Sequence, residues 1–215
     1  MGTELTSFGC IRHSRTVWNE EKRVQGWLDS PLTDAGKKLA RTWGRQLAVF
    51  SWQRILASDL GRAQATAELI NATLSLPLHL DARLREQDWG GWSGLLYHDL
   101  LTSHKEEFSR QQARGWDFTP PGGESRLQVL ERSRQALHDA ARQWTGEQIL
   151  VVCHEGVIRC LAYHLAGHSF LPGEPHLLRD WHLHWIGISG ERMILQELNA
   201  LPLEQPDRSQ PFSLF

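Results

Sequence analysis

The residues best placed to do chemistry are an arginine-histidine pair, Arg12-His13, which the short apolar run Phe8 to Ile11 delivers onto a polar turn. The run is aromatic, β-branched or small and is bounded by turn residues, so it reads as the end of a buried strand. In a parallel α/β sheet, ligands bind beyond the carboxyl ends of such strands, which puts the pair at a crevice and not in the core. A permanently charged, planar guanidinium beside an imidazole that is neutral near pH 7 suits a phosphate dianion. Arginine holds the oxygens bidentately, and neutral histidine can attack phosphorus. Alone the dipeptide carries little, because such pairs are common by chance.

Three later stretches bring matching chemistry. Ser58-Asp59-Leu60-Gly61-Arg62-Ala63 follows the apolar Ile55-Leu56-Ala57. Leu84-Arg85-Glu86 leads into Trp89-Gly90-Gly91-Trp92-Ser93-Gly94, and Val151-Val152-Cys153-His154-Glu155-Gly156 ends the most apolar strand candidate. Two more stretches, Gln25-Gly26-Trp27-Leu28-Asp29-Ser30-Pro31-Leu32-Thr33 and Pro120-Pro121-Gly122-Gly123-Glu124-Ser125, complete an ordered set. In these motifs, over roughly residues 6 to 166, the chain resembles the histidine phosphatase superfamily, the phosphoglycerate-mutase-like proteins.

The resemblance implies a role for each position that matches. His13 is the nucleophile that becomes phosphorylated, Arg12 and Arg62 bind the phosphoryl group, and His154 donates to it. Glu86 protonates the leaving oxygen and then serves as base for water. Beside these matched positions, Asn19, Ser58, the backbone around Gln25 and Gly26, and Glu155 are candidate substrate contacts. By residue type alone Asp88, Glu124 and Glu155 compete with Glu86, and each also reads as a solvated carboxylate. The chain departs from the family pattern twice: Arg12-His13-Ser14-Arg15 replaces the usual Arg-His-Gly-Glu, and His154-Glu155-Gly156 the usual His-Gly-Gly. Glycine beside the nucleophile can adopt positive φ, which serine does at a cost. Arg15 in place of an acid adds positive charge near the mouth and favours a more anionic substrate.

The elements that must position these residues follow from periodicity. Ala35, Leu39, Trp43, Leu47 and Phe50 recur at helical spacing and form a core face. Gln53 to Ala57 read as a strand, Gly61 to Asn71 as a helix, and His79-Leu80 as a short strand. Tyr97 to Trp116 is polar without one strong apolar stripe and reads as a mobile helical cap, which Pro120 to Gly123 end. A helix restarts near Glu124 with Leu127, Leu130, Leu137, Ala141 and Trp144 on one face. Gln148 to Cys153 form the central strand and Val157 to Leu165 the helix behind it. Trp181 to Ile188 and Met193 to Leu198 make an antiparallel hairpin around Gly190. The expected fold is a three-layer α/β/α sandwich: a mainly parallel sheet with an antiparallel edge and a small helical cap. One domain spans 1–200, with the cap inserted at about 95–122, and 201–215 form a loose tail.

Composition excludes several classes. With 215 residues and a net charge of -2, the chain has no basic stripe, which argues against nucleic acid or an anionic membrane as partner. No apolar run approaches the ~18 to 20 residues that span a bilayer. Cys10, Cys153 and Cys160 are an odd number without a disulfide framework and suit core positions in a reducing cytoplasm. Trp43 and Trp144 belong to the core, whereas Trp27, Trp89 and Trp92 are candidate pocket walls. His182 and His184 share a strand face, but no third metal ligand stands beside them. The function implied is a cytoplasmic phosphomonoester hydrolase acting through phosphohistidine on a small phosphate ester, without metal or cofactor; a homodimer is compatible. One alternative is a bisphosphoglycerate-dependent phosphoglycerate mutase, against which Glu86 is followed by Gln-Asp-Trp-Gly-Gly-Trp and not the usual Arg-His-Tyr-Gly. The other is a catalytically weak phospholigand-binding module, motivated by Ser14 and Glu155.

Overall fold

Burial of the central strands on both faces decides the architecture. The structure, a computed structural model, describes residues 4–205. Its strands are β1 (Thr6–Arg12), β2 (Arg54–Ala57), β3 (Leu78–Leu80), β4 (Gln148–Cys153), β5 (His182–Ser189) and β6 (Arg192–Pro202). They form one sheet in the order β3-β2-β4-β1-β5-β6. The first four are parallel; β5 pairs antiparallel with β1 and β6 antiparallel with β5, giving the expected antiparallel edge. Phe8, Cys10, Ile149, Val151 and Cys153 point to one face, where they meet α6 (Arg126–Gln143) and α7 (Glu155–Leu165). Ile11, Ile55, Ala57, Leu150 and Val152 point to the other, against α2 (Asp34–Leu47) and α3 (Gly61–Leu74). A strand covered on both faces must be apolar throughout, which is why β4 reads QILVVC.

Two helical stripes depart from expectation at their ends, while Leu39, Trp43, Leu47, Leu130, Leu137 and Ala141 are buried as expected. α2 begins at Asp34, and its buried face is Gly36, Leu39, Ala40, Trp43, Gly44 and Leu47, so Ala35 is exposed and Phe50 lies beyond the helix. Spacing alone cannot register a glycine as a core residue, yet Gly36 packs on the Arg15 carbonyl. In α6 the face is Val129, Leu130, Ala136, Leu137 and Ala140, which leaves Leu127 half exposed.

The cap is a built body. The helices α4 (Tyr97–Thr102) and α5 (Lys105–Gln112) pack with Val24, Trp89, Trp92, Leu100, Phe108 and Phe118 into a third apolar cluster. Each such side chain contributes on the order of 1.5–3 kcal/mol. No stripe was visible because the cluster draws single residues from several segments. Trp92 is accordingly cap core and not a pocket wall, while Trp89 joins the same core and also touches the space beside Glu86.

The tail expected from 201 begins as ordered packing. Leu203 is buried and donates its N–H to the Trp181 carbonyl at 2.8 Å, and the Glu204 carbonyl accepts from Trp43 Nε1 at 2.9 Å. The rest of that segment, 206–215, lies outside the described residues. No described helix is long and apolar enough to cross a membrane.

Candidate active site

Parallel pairing brings three strand ends together. Arg12 stands opposite Cys153 in the β1–β4 register and Ala57 opposite Val152 in the β2–β4 register, so His13, Ser58 and His154 emerge side by side. His13 N–H donates to the Cys153 carbonyl at 2.9 Å and Ser58 N–H to the Val152 carbonyl at 3.0 Å, extending the ladder past the strands. Arg62 enters from the first turn of α3.

His13 is buried, and its Nδ1 lies 2.7 Å from the Ser14 carbonyl. A carbonyl only accepts, so the ring proton sits on Nδ1 and Nε2 keeps its lone pair. Burial, followed by the charges of Arg62 and Arg12, holds the imidazole well below its usual pKa, so it is neutral at pH 7. His154 is fully buried and is likewise held well below the usual value, first by burial and then by Arg62. Ser58 Oγ accepts from Leu60 N–H at 3.3 Å and lies 2.9 Å from His154 Nε2. His154 Nδ1 is buried with no hydrogen-bond partner. Arg12 Nε is a buried donor that also has none.

Arg62 is 1% exposed and uses four of its five N–H groups on the protein: Nε to His13 Nε2 at 3.3 Å, Nη1 to Leu28 O and Asp29 Oδ1 at 3.0 Å each, Nη2 to Gly26 O at 2.8 Å. It therefore staples the 26–29 loop to the site as well as supplying charge. That loop passes through Gly26 at φ +54°, where a Cβ would come within 2.7 Å of Ser93 Oγ and 3.0 Å of Trp89 N. Trp27, 43% exposed, donates Nε1 to the Glu86 carbonyl at 2.8 Å and stands at the rim.

Glu86 accepts from Gln87 N at 2.8 Å and from Gly156 N at 3.3 Å. Burial raises its pKa above the usual carboxylate value, against these hydrogen bonds and the opposing charges of Arg62 and Arg12. A Cβ on Gly156 would run into Glu86 Oε1. Gly156→Ala is therefore expected to displace the carboxylate and lower kcat on alkyl esters by roughly 10²-fold, the scale of a displacement near 1 Å. An unchanged kcat would show that Glu86 tolerates the shift.

Several sequence candidates have other partners here. Asn19 Oδ1 accepts from Thr16 N and Oγ1 at 3.0 Å each, closing the capping box of α1 (Val17–Glu20), so that oxygen serves the helix and not a substrate. The Ser58 hydroxyl orients His154. Glu155 is neither solvated nor aimed at an anion: its carboxylate binds Arg12 Nη1 at 2.5 Å and holds that guanidinium by one edge. Gln25 is buried with its side-chain oxygen unpartnered. Of the other acids, Glu124 pairs with Arg132 at 2.7 Å, and Asp88 Oδ1 accepts from Gly90 N at 2.9 Å. Ser14 meets no strain. It has no positive φ, its N–H donates to Thr66 Oγ1 at 2.9 Å, and its hydroxyl donates to the Gly36 carbonyl at 2.8 Å. Arg15 is mostly buried, 3.8 Å from Glu20.

Two residues escaped sequence reasoning. Asp29 anchors Arg62, and Arg132 donates to the carbonyls of Arg83 and Glu86 at 2.6 and 2.9 Å, fixing the Glu86 segment from α6. Among the described residues, no three His, Cys, Asp or Glu side chains group as metal ligands. His182 and His184 instead bond to Asp180 O and Asn199 N.

Chemically, the arrangement holds a neutral imidazole whose Nε2 lone pair meets the Arg62 Nε–H, two guanidiniums, a buried imidazole nitrogen without a partner and a carboxyl whose pKa is raised. The family model for the histidine phosphatase superfamily (branch 1) matches residues 9–201. Over 158 residues the chain is 37% identical to "Probable phosphoglycerate mutase GpmB" of Salmonella choleraesuis (strain SC-B67), covering 73% of each chain. Among solved structures it is similar to Bacillus stearothermophilus YhfR, with a TM-score of 0.82 and 28% identity over 91% of this chain and 98% of that one. It is also similar to mycobacterial glucosyl-3-phosphoglycerate phosphatase in complex with VO3, with a TM-score of 0.77 and 26% identity over 92% and 100% of the two chains.

Proposed function

Because the chain belongs to the histidine phosphatase superfamily (branch 1), we propose that it is a phosphomonoester hydrolase whose turnover runs through phosphohistidine on His13. The carrying observation is the neutral His13, its Nε2 unprotonated, beside two buried nitrogens without partners: the donor Arg12 Nε, and His154 Nδ1, which donates when it carries the ring proton. A tetrahedral dianion complements that set. In the first step the Nε2 lone pair attacks phosphorus in line. The P–N bond forms, the P–O bond to the alcohol breaks, and Glu86 gives its proton to the departing oxygen. Arg12, Arg62 and His154 hold the equatorial oxygens and the charge that builds there. In the second step Glu86, now a carboxylate, takes a proton from water as it attacks, and breaking the P–N bond releases phosphate. The cysteines are unsuited to compete: burial pushes the Cys10 and Cys160 thiols up to about 12 and Cys153 well above its usual value. Three buried free thiols also suit a reducing cytoplasm.

The name of the 37% identical relative makes the mutase the second reading. One experiment tests both. Purified protein is incubated with labelled phosphate esters in EDTA, with and without 2,3-bisphosphoglycerate. The expected result is turnover that survives chelation and a protein-bound label lost in acid but stable in alkali, as a P–N bond requires. Isomerisation of 3-phosphoglycerate that depends on bisphosphoglycerate would replace the hydrolase by the mutase. Activity lost in EDTA and restored by a divalent ion would overturn the metal-free route.

A further inference from the structure

Beside Glu86 lies a further space, which Trp89 of the cap cluster also lines. A void of about 30 Å³, room for about one water, has Glu86 and Gly156 on one side and Arg126, Arg159 and Phe170 on the other. The same three residues form a wall of a cavity of about 190 Å³ that also reaches Tyr97, Tyr163 and His176. Gly156 and Arg159 are three apart on α7 and so share a helix face, which carries the path from the Glu86 carboxylate to the guanidinium.

Both guanidiniums are set against rings. The Arg126 guanidinium carbon lies 4.2 Å from the Phe118 ring centre and 4.6 Å from that of Phe170; for Arg159 the distances are 5.2 Å to Tyr163 and 5.3 Å to Phe170. One phenyl ring thus serves two cations. Phe170 does so at φ +61°, a left-handed backbone that a bulky side chain adopts only at a cost. Arg126 Nη1 donates to the carbonyls of Gly115 at 3.1 Å and Phe170 at 3.5 Å. The like charges oppose each other: burial, then the Arg159 charge, lowers Arg126 to about 10. Two carboxylates line the combined space. Glu86 is at the inner end, and Glu174 accepts from Ser169 N at 2.9 and 3.2 Å and from Leu171 N at 3.2 Å, 3.8 Å from His168 Nδ1.

We propose that this cavity is the leaving-group subsite and takes an alcohol bearing a second anionic group, a carboxylate or a second phosphate, which Arg159 and Arg126 recognise. The inference rests on the phosphatase reading, because Glu86 marks the leaving oxygen and whatever is bonded to that oxygen extends past Gly156 toward the two guanidiniums. An anion there relieves the repulsion across Phe170. The volume, below the roughly 300 Å³ where drug-sized pockets begin, restricts the alcohol to a small one.

The test compares kcat/KM of the full chain on three matched esters: 3-phosphoglycerate, propane-1,3-diol bisphosphate and the uncharged-tail control glycerol 3-phosphate. At least one acidic ester is expected to exceed the control by ten-fold or more, and the better of the two identifies the second anion as carboxylate or phosphate. Arg159→Gln should cut the acid-to-control ratio roughly ten- to a hundred-fold, mainly through KM, with Arg159→Lys recovering part of it. Equal rates on all three esters, or an Arg159→Gln loss of equal size on all three, overturns the subsite and leaves the phosphatase reading standing. Absence of turnover on every ester overturns that reading together with the subsite that rests on it. Circular dichroism of each variant separates a lost fold from a lost contact.

Discussion

His13→Asn is expected to lower kcat/KM by roughly 10⁴-fold or more and to abolish the acid-labile label. No neighbour can take over the attack. His154 is buried with Nε2 committed to Ser58, and the nearest thiols, Cys10 and Cys153, stay protonated near neutral pH. The same environment sets the acid limb of the pH profile. Folded His13 holds its proton less tightly than a free imidazole, so kcat/KM should remain high as pH falls through 6.5 and decline only below it. Stability moves in the same direction. Between the folded value and 6.5 the unfolded chain binds more protons at His13 and His154, so their contribution is fully present above 6.5 and is lost as pH falls through the folded pKa. A titration placing the kinetic limb above 6.5 would mean that His13 is not neutral by burial. A persisting label in His13→Asn would place the nucleophile elsewhere.

Glu86→Gln is expected to slow alkyl phosphates by roughly 10²- to 10⁴-fold and aryl esters less, because a nitrophenolate leaves almost without a proton. Burial raises the Glu86 pKa, so the protonated form persists above the ordinary carboxylate range, and its loss should define the alkaline limb for alkyl esters. In the glutamine variant that limb should flatten. The measurement is a single-turnover series on esters of graded leaving-group pKa, which separates phosphorylation from hydrolysis. Asp88→Asn and Glu124→Gln serve as comparators: the first carboxylate faces the Gly90 amide and the second faces Arg132. A graded loss in Asp88→Asn, or an equal shift of all esters in Glu86→Gln, would give the proton to another group.

Among the acids near the site, geometry separates what residue type could not. Glu86, Asp88, Glu124 and Glu155 are interchangeable in charge, but Glu86 faces the backbone of the His154-Glu155-Gly156 turn with its pKa raised by burial, whereas Asp88 faces the Gly90 amide, Glu124 faces Arg132 and Glu155 faces Arg12. Glu155 is the instructive case. As a replacement for glycine it invites the reading of a damaged site, whereas its carboxylate occupies Arg12 Nη1 and leaves the Nε edge open. Ser14 resolves in the same way, since its hydroxyl finds the Gly36 carbonyl and its backbone needs no positive φ.

By itself the sequence determined the layered fold, the antiparallel edge and the motifs that carry Arg12, His13, Arg62, Glu86 and His154. Those are local properties: apolar periodicity names a strand or helix, and a strand ending in polar residues marks where side chains reach solvent at the carboxyl edge. Tertiary structure alone decided the tautomer of His13, the Ser58 contact of His154, the Asp29 and Arg132 anchors, the cap core around Trp92 and Phe108, and the arginine-lined cavity. Apart from the His13 tautomer, which the neighbouring Ser14 carbonyl sets, each depends on a group supplied from far along the chain, as when Arg132 reaches the Glu86 carbonyl 46 residues away. A backbone carbonyl has no signature in residue type, and whether a charge is buried depends on what folds over it, so these contacts exist only once the chain has packed.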